Sequence, residues 1–409
     1  MTGPAHCAQS QFSIEGDELV VGGMPLSALA AQVGRTPFYA YDRRVLDARV
    51  ASLRATFPVG VKLHYAMKAN PMPAVVAHMA RIVDGLDVAS AGELRVALDA
   101  GADPREISFA GPGKSEAELR DAVAAGILIN VESFREIRLL PQIARNLSRS
   151  ARVSVRVNPD FELKSSGMKM GGGPKAFGID AEQVPQALHE IGSLGLGFEG
   201  FHIFSGSQNL RPESICEAQA KSLELACRLA ADAPAPVRVV NIGGGFGIPY
   251  FPGEQALDLV PIAAQLATLA ASASRRLPHA ELVVELGRYL VGEAGIYVCR
   301  VVDRKISRGQ VFLITDGGLH HHLAASGNFG QVIRKNYPVA IGNRMRSGDR
   351  ETASVVGPLC TPLDLLADRM ELGRAEPGDL VVVFQSGAYG ITASPSGFLS
   401  HPPAAEVLV

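Results

Sequence analysis

KLHYAMKANPMPAVVAHMARIVDGLDVASAGELRVALDAGADPREISFAGPGKSEAELRDAVAAGILINV, residues 62–131, repeats one pattern. Short apolar or β-branched runs (KLHYAM 62–67, GLDVA 85–89, EISFA 106–110, ILINV 127–131) end in polar or glycine-rich turns. Alanine- and leucine-rich stretches with helical spacing, such as AELRDAVAAG, lie between them. The rhythm continues through RVSVRV (152–157), EGFHIF (199–204), RVVNIG (238–243) and ELVVEL (281–286). Eight strands alternating with helices predict an α/β fold, a (β/α)8 TIM barrel over residues 36–289. An open doubly wound sheet is the rival, and eight units at this length favour closure.

Beyond residue 290 the texture changes. VGEAGIYVCRVVDRKI, QVFLITDGG, ETASVVGPLC and DLVVVFQSGAYG are strand-like runs broken by Gly, Pro and Asp. They predict a β-sandwich or barrel-like domain over 290–409, joined by residues 1–35 with SIEGDELVVGG. The longest irregular stretches are 160–177, with SSGMKMGGGP, and 323–350, with ASGNFGQVIRKNY; loops of that length are commonly functional or mobile.

The 409 residues carry 39 Lys and Arg against 41 Asp and Glu, a net charge of −2, which points away from nucleic acid or an anionic membrane as partner. The five cysteines are scattered without a C-x-x-C, as in a reducing compartment. The opening MTGPAHCAQS does not read as a signal peptide, and no apolar run reaches membrane-spanning length. The expectation is a soluble, cytoplasmic protein.

Barrel enzymes keep their chemistry at the C-terminal ends of the strands. Lys68 follows strand one, Asp87 ends strand two, and Arg156 lies near the end of strand five. Ser207 follows strand six, Gly243, Gly244 and Gly245 end strand seven, and Glu285 and Arg288 close strand eight. Singly, each has a bland reading as a surface charge or a tight turn. Together they have a chemical logic. A lysine at an apolar strand end can form a Schiff base with an aldehyde. Glycine N–H groups can cradle a phosphate, to which Arg288 adds a guanidinium. Glu285 can pair with a protonated ring nitrogen. Aldehyde, phosphate and pyridine together describe pyridoxal 5'-phosphate.

YAMKAN, GLDVAS-GEL, GFHIFSGSQ, NIGGGFG, ELGRYLV, GPLC and SGAYG resemble, in order, the motifs of the alanine-racemase-like, fold-type-III pyridoxal-phosphate decarboxylases, the group of ornithine and diaminopimelate decarboxylases. The resemblance covers roughly residues 36–400. DGGLHHHLAASGNFGQVIRKNYP is most similar to the exosortase A system-associated decarboxylases, and also similar to decarboxylases of a glutamyl group on an acyl carrier protein. The resemblance implies Lys68 as the cofactor's Schiff-base lysine, Ser207, Gly243–Gly245, Arg288 and Tyr389 at the phosphate, and Glu285 at the pyridine nitrogen. A carboxylate there favours decarboxylation, whereas the racemase branch has an arginine. Cys360 matches a cysteine that reaches the site from a partner subunit and helps protonate the carbanion, which implies a homodimer. Asp316 matches an acidic residue near the substrate.

Two positions depart from the family pattern. Phe204 stands where a histidine usually stacks on the cofactor ring, with His202 matching a less general histidine of that motif. Thr361 stands where an acid usually holds a distal ammonium; Asp364, three residues on, and Asp316 are the acids that could compensate. Arg334 and Lys335 are candidate contacts for an acidic carrier protein. His320–His322, read as strand-like with alternating faces, argue against a metal site. The expected function is decarboxylation of an α-amino acid moiety, carrier-linked or not a diamino acid. The alternatives are a free diaminopimelate- or ornithine-type decarboxylase, a racemase of the same fold, or an inactive regulatory homologue.

Overall fold

In the computed structural model, which describes residues 4–161, 168–169 and 171–409, all eight runs form strands of one parallel barrel. They are β1 Val61–Ala66, β2 Gly85–Val88, β3 Ile107–Phe109, β4 Leu128–Val131, β5 Arg152–Asn158, β6 Gly197–Ile203, β7 Val239–Gly244 and β8 Glu281–Leu286. Each pairs in parallel with the next, and β8 returns to β1 with Glu285 opposite His64, so the sheet is closed. Helices cover the outer face, which is why the strands are apolar on both faces. A recurring S-x-x-E starts three of these helices. Ser90, Ser115 and Ser133 each accept the N–H of the glutamate three residues on, and Ser115 with Glu118 closes a full capping box. Of the glycine-rich stretch SSGMKMGGGP, Ser165, Ser166, Gly167 and Met170 lie outside the described residues.

The barrel belongs to a compact unit of Val50–Gly247 and Leu257–Gly287; a second unit holds Met1–Arg49, Ile248–Ala256 and Arg288–Val409. This second unit is a nearly closed β-barrel. Its strands run in the order Val339–Ile341, Leu380–Val383, Gly295–Ser307, Gln310–Thr315, Arg350–Val356 and Leu365–Gly373. Phe38–Tyr41 also belongs here, antiparallel to Gly295–Val298 and parallel to Ala405–Leu408. Its core joins Leu19, Val21, Leu26, Phe38, Ala40, Ile296, Val298 and Val382. Each of these side chains larger than alanine contributes about 1.5–3 kcal/mol on burial.

The strand-like reading of His320–His322 is corrected. They sit in a turn after Gln310–Thr315, in a segment opened by Gly317 and Gly318, and the rings of His320 and His321 lie tilted against each other with centres 3.8 Å apart. No described helix is long and apolar enough to cross a membrane.

Candidate active site

The barrel interior carries a belt of polar side chains on otherwise apolar strands. Ser108 Oγ donates to Asp87 Oδ1 at 2.5 Å, Asn130 Nδ2 donates to Ser108 Oγ at 3.1 Å, and Ser154 Oγ donates to Asn130 Oδ1. His64 Nδ1 lies 3.3 Å from Asp87 Oδ1. Burial alone lowers the affinity of His64 for a proton, yet the charge and hydrogen bond of Asp87 raise its pKa above the usual imidazole value. Sequence reasoning singled out only Asp87 of this group. Polar residues inside fully buried strands (the His of KLHYAM, the Asn of LINV, the Ser of ARVSVRV) are the signal that finds the others.

On the neighbouring strand β8, Glu285 is buried with its Oε2 2.9 Å from His202 Nε2 and 3.4 Å from Asn241 Nδ2. Burial pushes its pKa up. The hydrogen bond and charge of His202, with Lys68 and Arg156, outweigh that and hold it at about 2, so Glu285 is a carboxylate. Nδ1 of His202, Oδ2 of Asp87 and Oγ of Ser205 are buried without a partner among the described residues.

Lys68 sits in the single turn Met67–Ala69 directly after β1, exposed between buried Met67 and Ala69, with Nζ 5.7 Å from the centre of the Phe204 ring. Arg156 on β5 donates to Glu132 Oε1 at 2.8 Å and lies 5.1 Å over Phe177. Glu132, which the sequence reading missed, also accepts the N–H of Gly111 and of Gly178, so one carboxylate ties three strand ends together.

At the end of β7 the glycines are required by contact. A Cβ on Gly244 would strike the carbonyl oxygen of Glu285, and one on Gly245 would strike that of Gly206. Gly243 and Gly245 are also left-handed, at φ 71° and 74°. Ser207 lies in the half-buried pair Gly206–Ser207. The barrel unit thus offers an accessible amine, a side-chain-free turn and a buried carboxylate. These are the groups that an aldehyde, a phosphate and a protonated pyridine nitrogen require, so the residues fit pyridoxal phosphate.

The second unit carries the remaining candidates. Arg288 donates to Tyr250 Oη at 2.8 Å and lies 4.6 Å over the ring of Tyr389, while its buried Nε has no partner among the described residues. Tyr389 itself is left-handed, at φ 53°. Cys360 is exposed on the loop after Arg350–Val356, and Thr361 Oγ1 accepts the N–H of Leu363 at 3.3 Å. Both nearby acids are engaged by the chain. Asp364 accepts the N–H groups of Leu319 and Leu359 at 2.6 and 2.9 Å, and Asp316 accepts from Thr36 Oγ1 and from the N–H of Arg300. A Cβ on Gly318 or Gly357 would strike the Asp364 carboxylate.

Arg334 is not the free surface cation expected. It donates to the carbonyls of Ser326 and Leu365 and to Asn336, bracing its own loop and leaving Lys335 exposed. His322 lies 2.8 Å from Ser386 Oγ and His321 2.8 Å from the Pro402 carbonyl. Among the described residues no His, Cys, Asp and Glu group is placed to hold a metal ion.

Residues 43–292 match the family model of the pyridoxal-dependent decarboxylase pyridoxal-binding domain. The chain is 39% identical over 383 residues to the L-glutamyl-(BtrI acyl-carrier protein) decarboxylase of Niallia circulans, covering 91% of this chain and 88% of that one. It is 34% identical over 395 residues to the diaminopimelate decarboxylase of Aquifex aeolicus, covering 96% and 90%. Among solved structures, diaminopimelate decarboxylase from Helicobacter pylori in complex with L-lysine superposes with a TM-score of 0.81 at 28% identity, covering 94% of both chains.

Proposed function

Because the chain belongs to the pyridoxal-dependent decarboxylases of fold type III, we propose that it removes the α-carboxylate of an amino acid moiety whose far end carries no ammonium, an acyl group held on a carrier protein as a thioester. The observation that carries this reading is the state of the acids around Cys360. Thr361 offers a neutral hydroxyl, and the carboxylates of Asp316 and Asp364 are already taken by Thr36, Arg300, Leu319 and Leu359. A buried ammonium left without a carboxylate costs several kcal/mol.

When bound, pyridoxal phosphate supplies the electron sink for the pair left behind as CO2 departs. In this reading the chain supplies the rest. Lys68 holds the cofactor covalently. Gly243–Gly245, Ser207, Arg288 and Tyr389 receive its phosphate, and Asp87, Arg156 and Phe204 line its ring. Glu285, kept ionised by His202, holds the ring nitrogen protonated, which favours decarboxylation over racemisation. Cys360, donated by the second subunit of a homodimer, returns a proton to the α-carbon.

A free diamino acid is the second reading, favoured by the diaminopimelate decarboxylases among the relatives. The test compares kcat/KM for meso-diaminopimelate, lysine and ornithine with that for a glutamyl carrier-protein thioester. Turnover of a free diamino acid at about 10⁴ M⁻¹s⁻¹ or more would replace the first reading with the second.

A further inference from the structure

We infer that the N-terminal mouth of the barrel, at the opposite strand ends from Lys68, is a binding site for a small acceptor-rich anion of the carboxylate or phosphate class, taken up by Arg238, His279 and Nε2 of His64. A cavity of about 300 Å³ opens there, at the size where small-ligand pockets begin. Its carboxylates are ion-paired: Glu106 and Glu281 share Lys62 Nζ, at 2.9 and 2.8 Å, and Glu199 binds Arg152 at 3.2 Å. The groups outside these pairs are donors. Arg238 and His279 line the same cavity, and neither has a side-chain partner among the described residues.

His64 is the second, independent observation. Its side chain is 9% exposed, it lines the cavity, and Nε2 is buried without a partner among the described residues. Buried polar atoms are rarely left so. Nδ1 faces Asp87, so only the imidazolium form of His64 presents donors to both sides. The charged groups that face it are Asp87 on β2, Glu106 just before β3 and Glu285 on β8. An anion below would hold His64 as imidazolium and so fix the carboxylate of Asp87 above it, which links the cavity to the cofactor end through a single side chain.

The test is calorimetric titration of the cofactor-loaded enzyme, whose phosphate turn is then occupied, with inorganic phosphate and separately with succinate at constant ionic strength. The expected result is one saturable site per chain for at least one of them, with the tighter probe identifying the anion class. Binding should be accompanied by proton uptake, read from its dependence on buffer ionisation enthalpy. Arg238→Gln should weaken binding at least about tenfold, the loss of a charge-assisted hydrogen bond, and His64→Gln should abolish the proton uptake. Arg238 is exposed, so its variant keeps the test decisive should His64→Gln fail to fold. Absence of saturable binding by either probe, or unchanged affinity in Arg238→Gln, overturns the inference.

Discussion

The barrel's strand ends and two acids of the second unit, Asp316 and Asp364, use polar groups in opposite ways. In the barrel, His202 Nδ1, Asp87 Oδ2 and Ser205 Oγ are buried without partners among the described residues, and the glycine turn bears no side chains. Asp364 and Asp316 are instead held in place by the chain, clamped by backbone N–H groups and a threonine. Unmet hydrogen-bonding capacity in a folded interior marks where a ligand belongs, because leaving it unmet costs about 1–3 kcal/mol per group. Committed carboxylates mark the reverse. Under the proposed function, the contrast separates the groups offered to the cofactor from those offered to the far end of the substrate.

The largest effect is expected at Lys68. Lys68→Ala should lower kcat/KM by at least about 10³-fold, abolish borohydride fixation of the cofactor, and leave the circular dichroism unchanged because the side chain is exposed. Labelling of another lysine in the wild type would move the cofactor away from the β1 end and break the comparison on its barrel side.

Cys360 tests the loop side. As a proton donor its loss should cost about 10²-fold or more in rate. If it serves the neighbouring subunit, mixing inactive Lys68→Ala and Cys360→Ala chains places one intact site in each mixed dimer. With about half of the dimers mixed, activity should return to roughly a quarter of wild type. Subunit exchange without recovery would mean that Cys360 acts in its own chain or is dispensable.

These expectations show what was legible in the sequence. All eight barrel strands could be read because parallel strands buried on both faces leave dense apolar runs, and the strand-end motifs fall where the barrel places them. What escaped was pairing across strands. The Asp87–Ser108–Asn130–Ser154 chain joins residues about 20 apart in sequence, one from each of four strands, and is created only when those strands pair in parallel register. Glu132 escaped for the same reason. Arg334 was legible as a charge, but its three internal acceptors were not. His320–His322 were misread because a turn after two glycines brings together neighbouring rings that a strand would alternate.

Glu285 gives a smaller effect with a definite sign. Its folded-state pKa is lowered from 4.5 to about 2. Its contribution to stability is therefore complete above about pH 4.5 and is lost as the pH falls towards 2. Glu285→Gln should lower the urea midpoint near neutral pH, by roughly 3 kcal/mol in free energy because His202 loses its buried partner. The difference from wild type should shrink across that acid window. A difference that does not depend on pH would show that Glu285 is not held as a carboxylate by His202.

The smallest effect sharpens the comparison most, because it concerns one hydroxyl. Thr361 Oγ1 accepts a weak 3.3 Å bond from Leu363 and is half-exposed, so Thr361→Asp should fold normally. The new carboxylate would be the acid in this loop that neither Asp364 nor Asp316 can provide, since freeing either means breaking two contacts made by the chain itself. If the missing acid is what excludes a distal ammonium, the variant should improve kcat/KM for diamino acids by about 2- to 5-fold, the scale of one partly exposed ion pair. The change should appear in KM while kcat stays level, because a distal contact made equally in ground and transition states leaves the chemical step untouched. Turnover of a carrier-linked substrate should fall over the same range. If neither substrate class responds, position 361 does not read the distal group, and selection must rest elsewhere in the loops that carry Cys360.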